Sequence, residues 1–193
     1  MKSDIVLAGV GGQGILSIAA AIGHAAVSSN LNIKQAEVHG MSQRGGDVQS
    51  HLRVSDKPIA SDLVPAGGAD MIISVEPMEA LRYLPMLSPE GWVVTSTTPF
   101  VNIPDYPPVD DVLAELRKLK RCVAIDADAI AKEAGSARAS NIVMLGAAST
   151  FIDIPFERIE EGIRALFGRK GEQIVEMNLK ALRAGRAHSE KQK

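Results

Sequence analysis

Apolar positions along the chain fall into short runs separated by glycine-rich or charged punctuation. Residues 5–8 form one such run, ending in glycines, and read as a buried strand. Residues 16–27, rich in Ala and Ile with Gly14 just ahead, read as a helix. Residues 34–38 predict a second strand. In a third, Val48, Ser50, Leu52 and Val54 share one face while Gln49, His51 and Arg53 share the other. Residues 71–75 predict a fourth strand, followed by a helix over 78–87. The turn Ser88-Pro89-Glu90-Gly91 leads into a fifth strand over 92–95. A loop carrying Pro99, Pro104, Pro107 and Pro108 is too proline-rich for a helix or a central strand. Residues 109–119 read as a helix with Val112, Leu113 and Leu116 as its apolar face, and 123–126 as the last strand. Further helices are expected over 141–151, 156–167 and 172–184. From Arg186 the chain turns polar, so 1–185 is read as one domain and 186–193 as a flexible tail.

Strands alternating with helices imply an α/β fold, a mostly parallel sheet covered on both faces in a three-layer α/β/α sandwich. One link breaks the alternation. Only the segment from His39 to Gly46 separates strands two and three. A parallel crossover needs roughly a dozen residues or more. Strand three is therefore expected antiparallel to strand two, which makes the sheet mixed.

Composition narrows the class. The chain has 193 residues, 46% of them hydrophobic, enough for one domain with its own core. Its formal net charge of −2 and lack of a basic stripe argue against nucleic acid as a partner. The single cysteine, Cys122, excludes an internal disulfide and an iron–sulfur cluster held by this chain alone. The N-terminal MKSDIVLAGV enters a strand at once, which argues against a signal peptide. Apolar runs fall far short of the ~20 residues of a membrane span. A cytoplasmic protein is expected.

Gly9, Gly11 and Gly14 form G-x-G-x-x-G directly after a strand and ahead of a helix, the context of a phosphate-binding turn. With them, the fold is expected to be Rossmann-like. Glu37 ends the next strand, where a dinucleotide fold places its ribose-binding carboxylate. A self-sufficient NAD or FAD oxidoreductase is thus one reading. Against it stand the short link after strand two and the residues Gly12 and Gln13, which add a fourth glycine and a polar amide to the motif. The glycines serve equally well for a tight turn with close packing, for anion contact, or for an interface.

The segment EVHGMSQRGGD, residues 37–47, holds the densest chemistry in the chain. His39, Gln43 and Arg44 should lie at the same sheet edge as the glycine loop, since both loops follow parallel strands. An Arg beside Gly45-Gly46 suits a carboxylate or a phosphate. A solvated surface hairpin is the plainer alternative.

GVGGQG near the N-terminus, followed by EVHGMSQRGG, resembles the gamma-type subunit or domain of the pyruvate and 2-oxoacid:ferredoxin oxidoreductases. Ser61-Asp62-Leu63, Ala69-Asp70, the run from Ala139 to Gly146, and Glu176-Met177-Asn178 with Ala181 and Gly185 are similar to that family in the expected order. His39-Gly40-Met41-Ser42-Gln43 stands where pyruvate and 2-oxoglutarate members usually carry a Tyr- or Phe-Gly-Pro-Glu version. That form resembles the small, or beta, subunit of the indolepyruvate branch.

The resemblance implies oxidative decarboxylation of an aryl 2-oxoacid, as in aromatic amino acid catabolism. Coenzyme A is the co-substrate, and ferredoxin accepts the electrons through the complex. Thiamine diphosphate, Mg and [4Fe-4S] clusters would sit on a large alpha subunit, and no cofactor or metal on this chain, which should be inactive alone. It implies that Gly9, Gly11, Gly12, Gln13, Gly14, His39, Gln43, Arg44, Gly45 and Gly46 form an edge close to coenzyme A and the partner. An isolated chain could dimerise through surface meant for that partner. A non-enzymatic scaffold of the same fold is the remaining alternative.

Other residues read as structural. His51 is a paired or solvated strand residue, and no Cys/His cluster suggests zinc. Cys122 reads as a small buried hydrophobe. Asp126 and Asp128 precede a helix they can cap, and Asp110-Asp111 complement the start of another.

Overall fold

The computed structural model describes residues 1–38, 45–101 and 103–192. Among these, six strands form one sheet: β1 (Lys2–Val10), β2 (Asn32–Val38), β3 (Asp47–Ser55), β4 (Ala69–Ser74), β5 (Leu87–Ser96) and β6 (Cys122–Ile125). Their order across the sheet is β2-β3-β1-β4-β5-β6. β1, β4, β5 and β6 are parallel, and β3 runs antiparallel to both β2 and β1. The short link has the expected consequence for direction. It also places β3 between β2 and β1 rather than beyond β2.

Seven helices are described: α1 (Ile15–Ser28), α2 (Pro77–Arg82), α3 (Val109–Arg117), α4 (Ala127–Glu133), α5 (Ser140–Ala148), α6 (Phe156–Phe167) and α7 (Glu172–Glu190). They cover both faces of the sheet, which makes the three layers. Side chains alternate along β1, so Ile5 and Leu7 point into a large core with Ile18 of α1, Met144 of α5, Ile159 of α6 and Leu179 of α7. Val6 and Ala8 point into a smaller core with Ala80 of α2 and Leu116 of α3. Coverage on both faces is why β1 reads as a continuous apolar run rather than an alternating one. Each fully buried Ile or Leu contributes about 1.5–3 kcal/mol.

β3 keeps its alternation. Leu52 and Val54 join the large core, while Arg53 and His51 on the polar face are hydrogen-bonded to residues 61–64 of the segment leading to β4. Arg53 donates from Nε to Asp4 Oδ1 at 2.7 Å and from Nη2 to Oδ2 at 3.0 Å, and its Nη1 donates to the carbonyls of Ser61 and Leu63. Burial pushes the Asp4 carboxyl up, but hydrogen bonds from Arg53 and Lys2 outweigh it and hold the group below the ordinary carboxylate range.

Three expectations are corrected. The helix expected over 78–87 stops at Arg82 and gives way to a single 3-10 turn, Leu84–Met86. Pro85 lacks the N–H that a longer helix would require. Ser88-Pro89-Glu90-Gly91 belongs to β5, but as a bulge: Ala69 pairs with Leu87, whereas Met71 pairs with Trp92. Residues 186–190, expected to fray, continue α7. The reason is a buried stripe of small side chains. Gly185 faces α5, the buried Ser189 is hydrogen-bonded at 2.8 Å to Thr150 just beyond the end of α5, and Arg186 lies 4.4 Å from the centre of the Phe156 ring. Asp126 caps α4 as expected, accepting from the Ala129 N–H.

α5 and α7 meet backbone to backbone. A Cβ at Gly146 would overlap the Leu182 carbonyl, and one at Gly185 the Val143 carbonyl. Gly146→Ala or Gly185→Ala therefore forces the helices apart and should lower stability by about 1–3 kcal/mol, read as a lower urea midpoint.

Candidate functional site at the glycine-loop edge

The site is built where β1 ends. Gly9 pairs with Val48 of β3, and the Val75 side chain fills the space a Cβ would need. Gly12 is the exposed tip of the turn. Gln13 folds back: its N–H donates to the Val10 carbonyl at 3.1 Å, and its Oε1 accepts from the Val10 N–H at 2.7 Å. Gly14 closes the turn in the left-handed region (φ 79°) as the N-cap of α1. Its carbonyl accepts from Asn141 Nδ2 at 3.0 Å, and a Cβ there would stand 2.6 Å from that nitrogen. Asn141 thus anchors the loop from α5, a role that its place in the family motif did not disclose.

The second loop joins the first through backbone alone. Gly11 N–H donates to the Gly46 carbonyl at 2.8 Å, and Gly45 N–H donates to the Gly11 carbonyl at 3.3 Å. The four glycines Gly11, Gly14, Gly45 and Gly46 are brought together at one edge. His39, Gln43 and Arg44 lie outside the described residues. Beside the junction is an open cavity of about 400 Å³ lined by Gly11, Gly12, Gly14, Leu16, Glu37 and Val48, among others. Glu37 is the one charged group among its described lining residues.

The dinucleotide reading fails on topology. That fold places its second strand parallel and adjacent to the first, at the crevice where the ribose carboxylate acts. Here β3 is wedged between β1 and β2, and Glu37 accepts from Gln35 Nε2 at 2.7 Å on an exposed outer strand.

Further along the same edge lies an acidic cluster that sequence reading missed. Glu76 is fully buried and caps α2, with Oε2 accepting from the Glu79 N–H at 2.8 Å. Its Oε1 accepts from the Phe100 N–H at 3.2 Å and from the Tyr106 hydroxyl. Glu79 is paired with Arg82, yet burial raises its carboxyl above the ordinary range. Tyr83 donates to Asp47 Oδ2 at 3.1 Å, and burial followed by that carboxylate drives its hydroxyl well above the usual phenol value. The available signal was Glu76-Pro77, an N-cap followed by proline at the first helical position.

Remaining candidates are structural. His51 is buried, with Nδ1 accepting from the Val64 N–H at 2.9 Å and Nε2 facing Gln49 Oε1 at 3.3 Å. Cys122 is half-buried, and desolvation pushes its thiol up to about 11. Among the described residues no group of three or more His, Cys, Asp or Glu could hold a metal ion. No described helix is long and apolar enough to cross a membrane.

Burial, then the nearby Arg53 charge, lowers the His51 imidazole below its ordinary value. The unfolded chain therefore takes up the proton first as pH falls through about 6.5. Stability should decline from pH 7 toward the lower folded value and then level off. His51→Gln should flatten that portion of the curve in thermal melts.

The family model described as pyruvate ferredoxin/flavodoxin oxidoreductase matches residues 4–188. The indolepyruvate oxidoreductase subunit IorB of Archaeoglobus fulgidus is 41% identical, over 96% of this chain and 94% of that protein. In shape, the chain is similar to a 2-oxoglutarate:ferredoxin oxidoreductase from Magnetococcus marinus solved with 2-oxoglutarate, coenzyme A and succinyl-CoA. The TM-score is 0.78 at 24% identity, covering 98% of this chain and 31% of that one. It is also similar to the gamma subunit of a keto/oxoacid ferredoxin oxidoreductase from Geobacter sulfurreducens, with a TM-score of 0.70 at 23% identity over 98% and 99% of the two chains.

Proposed function

Because the chain belongs to the pyruvate ferredoxin/flavodoxin oxidoreductase family, we propose that it is the small subunit of an indolepyruvate-type 2-oxoacid:ferredoxin oxidoreductase. The observation that carries this reading is the match to the Archaeoglobus fulgidus indolepyruvate oxidoreductase subunit over nearly the whole of both chains. In the reaction the bond between the carboxylate and keto carbons of an aryl 2-oxoacid breaks and carbon dioxide leaves. The acyl group passes to the coenzyme A thiol, and two electrons pass singly to ferredoxin.

The redox groups do not fit this chain. One cysteine cannot hold a [4Fe-4S] cluster, and the sequence lacks a Gly-Asp-Gly…Asn pattern of the kind that holds thiamine diphosphate and its Mg. These groups belong on the large subunit, and no chemical step is assigned to residues here. The contribution of this chain is an edge. Residues 9–14 with Gly45 and Gly46 form a rigid rim that seats against the large subunit and shapes the coenzyme A path. Arg44 is the one cation in the two loops, so it is the residue to pair with a phosphate or a substrate carboxylate. Gln43 and His39 precede it in the sequence. With its carbonyl engaged by Val10, Gln13 serves the loop rather than the ligand.

Anaerobic mixing of the large subunit with and without this chain tests the reading. Coenzyme A-dependent reduction of ferredoxin or a viologen dye by indolepyruvate should appear only when both are present. Full activity without this chain would overturn it. Arg44→Ala should leave assembly intact and raise the KM for coenzyme A about tenfold or more. An unchanged KM would remove Arg44 from the site.

A further inference from the structure

The segment between β5 and α3 crosses the same edge as a strap and is fastened by a buried acid. Thr97 N–H donates to the Ile125 carbonyl at 2.9 Å, and Thr98 Oγ1 donates to Asp126 Oδ1 at 3.3 Å. The second fastening is the Glu76 carboxylate. It holds the strap at two points, the Phe100 backbone and the half-buried Tyr106 hydroxyl. Between these points the described side chains are exposed. Phe100 and Ile103 are each 42% exposed, and Val101 is 66% exposed.

The arc it fastens leaves three large apolar side chains partly in water, which forgoes their burial in the isolated chain. Isolated exposed hydrophobics are ordinary, but these adjoin one another. They are also not alone at this edge. Most of the large apolar side chains that the described residues expose lie here, Leu16 and Val38 beside the glycine loop and Phe100, Val101 and Ile103 on the strap.

Relatives of this fold occur both inside longer chains and as separate subunits. In the Magnetococcus marinus structure this fold accounts for 31% of a longer chain, so the rest of that chain is tethered to it. In the Archaeoglobus fulgidus relative the match spans 94% of the protein, and no such tether exists within it. A subunit without a tether loses the high effective concentration of a fused one, so contact surface has to supply the affinity. An apolar knuckle on a fastened strap meets that need, because Glu76 holds the strap at both ends before the partner arrives.

Resting on the reading of this chain as the small subunit, we propose that Phe100, Val101 and Ile103 form a knuckle that docks into an apolar recess of the large subunit. Glu76 and Tyr106 are its positioning residues. The knuckle lies at the same end of the parallel strands as the rim formed by residues 9–14, so one edge of the sheet serves both docking and the coenzyme A path.

The test uses the assembled enzyme. Val101→Glu combined with Ile103→Glu should leave the isolated chain melting where the wild type melts, since both side chains are exposed. Its affinity for the large subunit should fall on the order of a hundredfold, because two charges would enter an apolar recess. Val101→Ser with Ile103→Ser should give a smaller loss. Tyr106→Phe keeps the knuckle but removes one fastening, and should weaken binding severalfold while retaining kcat at saturating subunit. If wild type binds the large subunit and both double variants bind it equally well, the knuckle proposal is overturned and the proposed function stands. Loss of self-association by the variants with unchanged binding to the large subunit would overturn it in favour of a second copy as occupant. If the wild-type chain fails to bind the large subunit, both readings fall.

Discussion

Two backbone hydrogen bonds between Gly11 and the Gly45-Gly46 pair hold the glycine-loop edge together. Each contributes only about 1 kcal/mol net, so their importance is geometric. They tie the turn after β1 to the start of β3 and fix where the second loop rejoins the sheet. The arrangement is available only because β3 runs antiparallel beside β1, which brings the end of one strand to the start of the other. The cavity between Leu16, Glu37 and Val48 follows from that junction.

Much of this could be read from the chain because local chemistry and tertiary placement agreed. The alternation of β3 survives because one face meets the large core and the other an Arg53–Asp4 pair. Its direction followed from the length of the preceding link. Its position between β2 and β1 did not, because strand neighbours are chosen by packing across the sheet, and no local pattern encodes that choice. The end of α7 was hidden for a different reason. Its buried stripe is made of Gly185 and Ser189, small residues whose value lies in close approach rather than in hydrophobicity. At the site, the glycine motif marked the turn, and EVHGMSQRGG marked the neighbouring loop. Asn141 and Glu76 were less legible because their partners are distant in sequence, Gly14 for the first and Phe100 and Tyr106 for the second.

On the proposed reading, membership of an oxidoreductase family and a single cysteine in the sequence are reconciled by a division of labour between chains. The small subunit then acts through the edge it presents. The described part of that edge is held by short-range contacts. Gln13 closes its own turn, Asn141 anchors the turn to α5, and backbone groups join the two loops. Few of these contacts involve long, entropically costly side chains, so little ordering remains to be done when a partner binds.

The two oxygens of Glu76 have separate duties. Oε2 caps α2, and Oε1 fastens the strap. Letting go of the strap therefore leaves the helix cap in place and the sheet undisturbed. Local opening of the strap, were it to occur, would not require global unfolding. In hydrogen exchange the Phe100 amide would report that local opening, while the Glu79 amide, bonded to the other oxygen of the same carboxylate, would stay protected with the core.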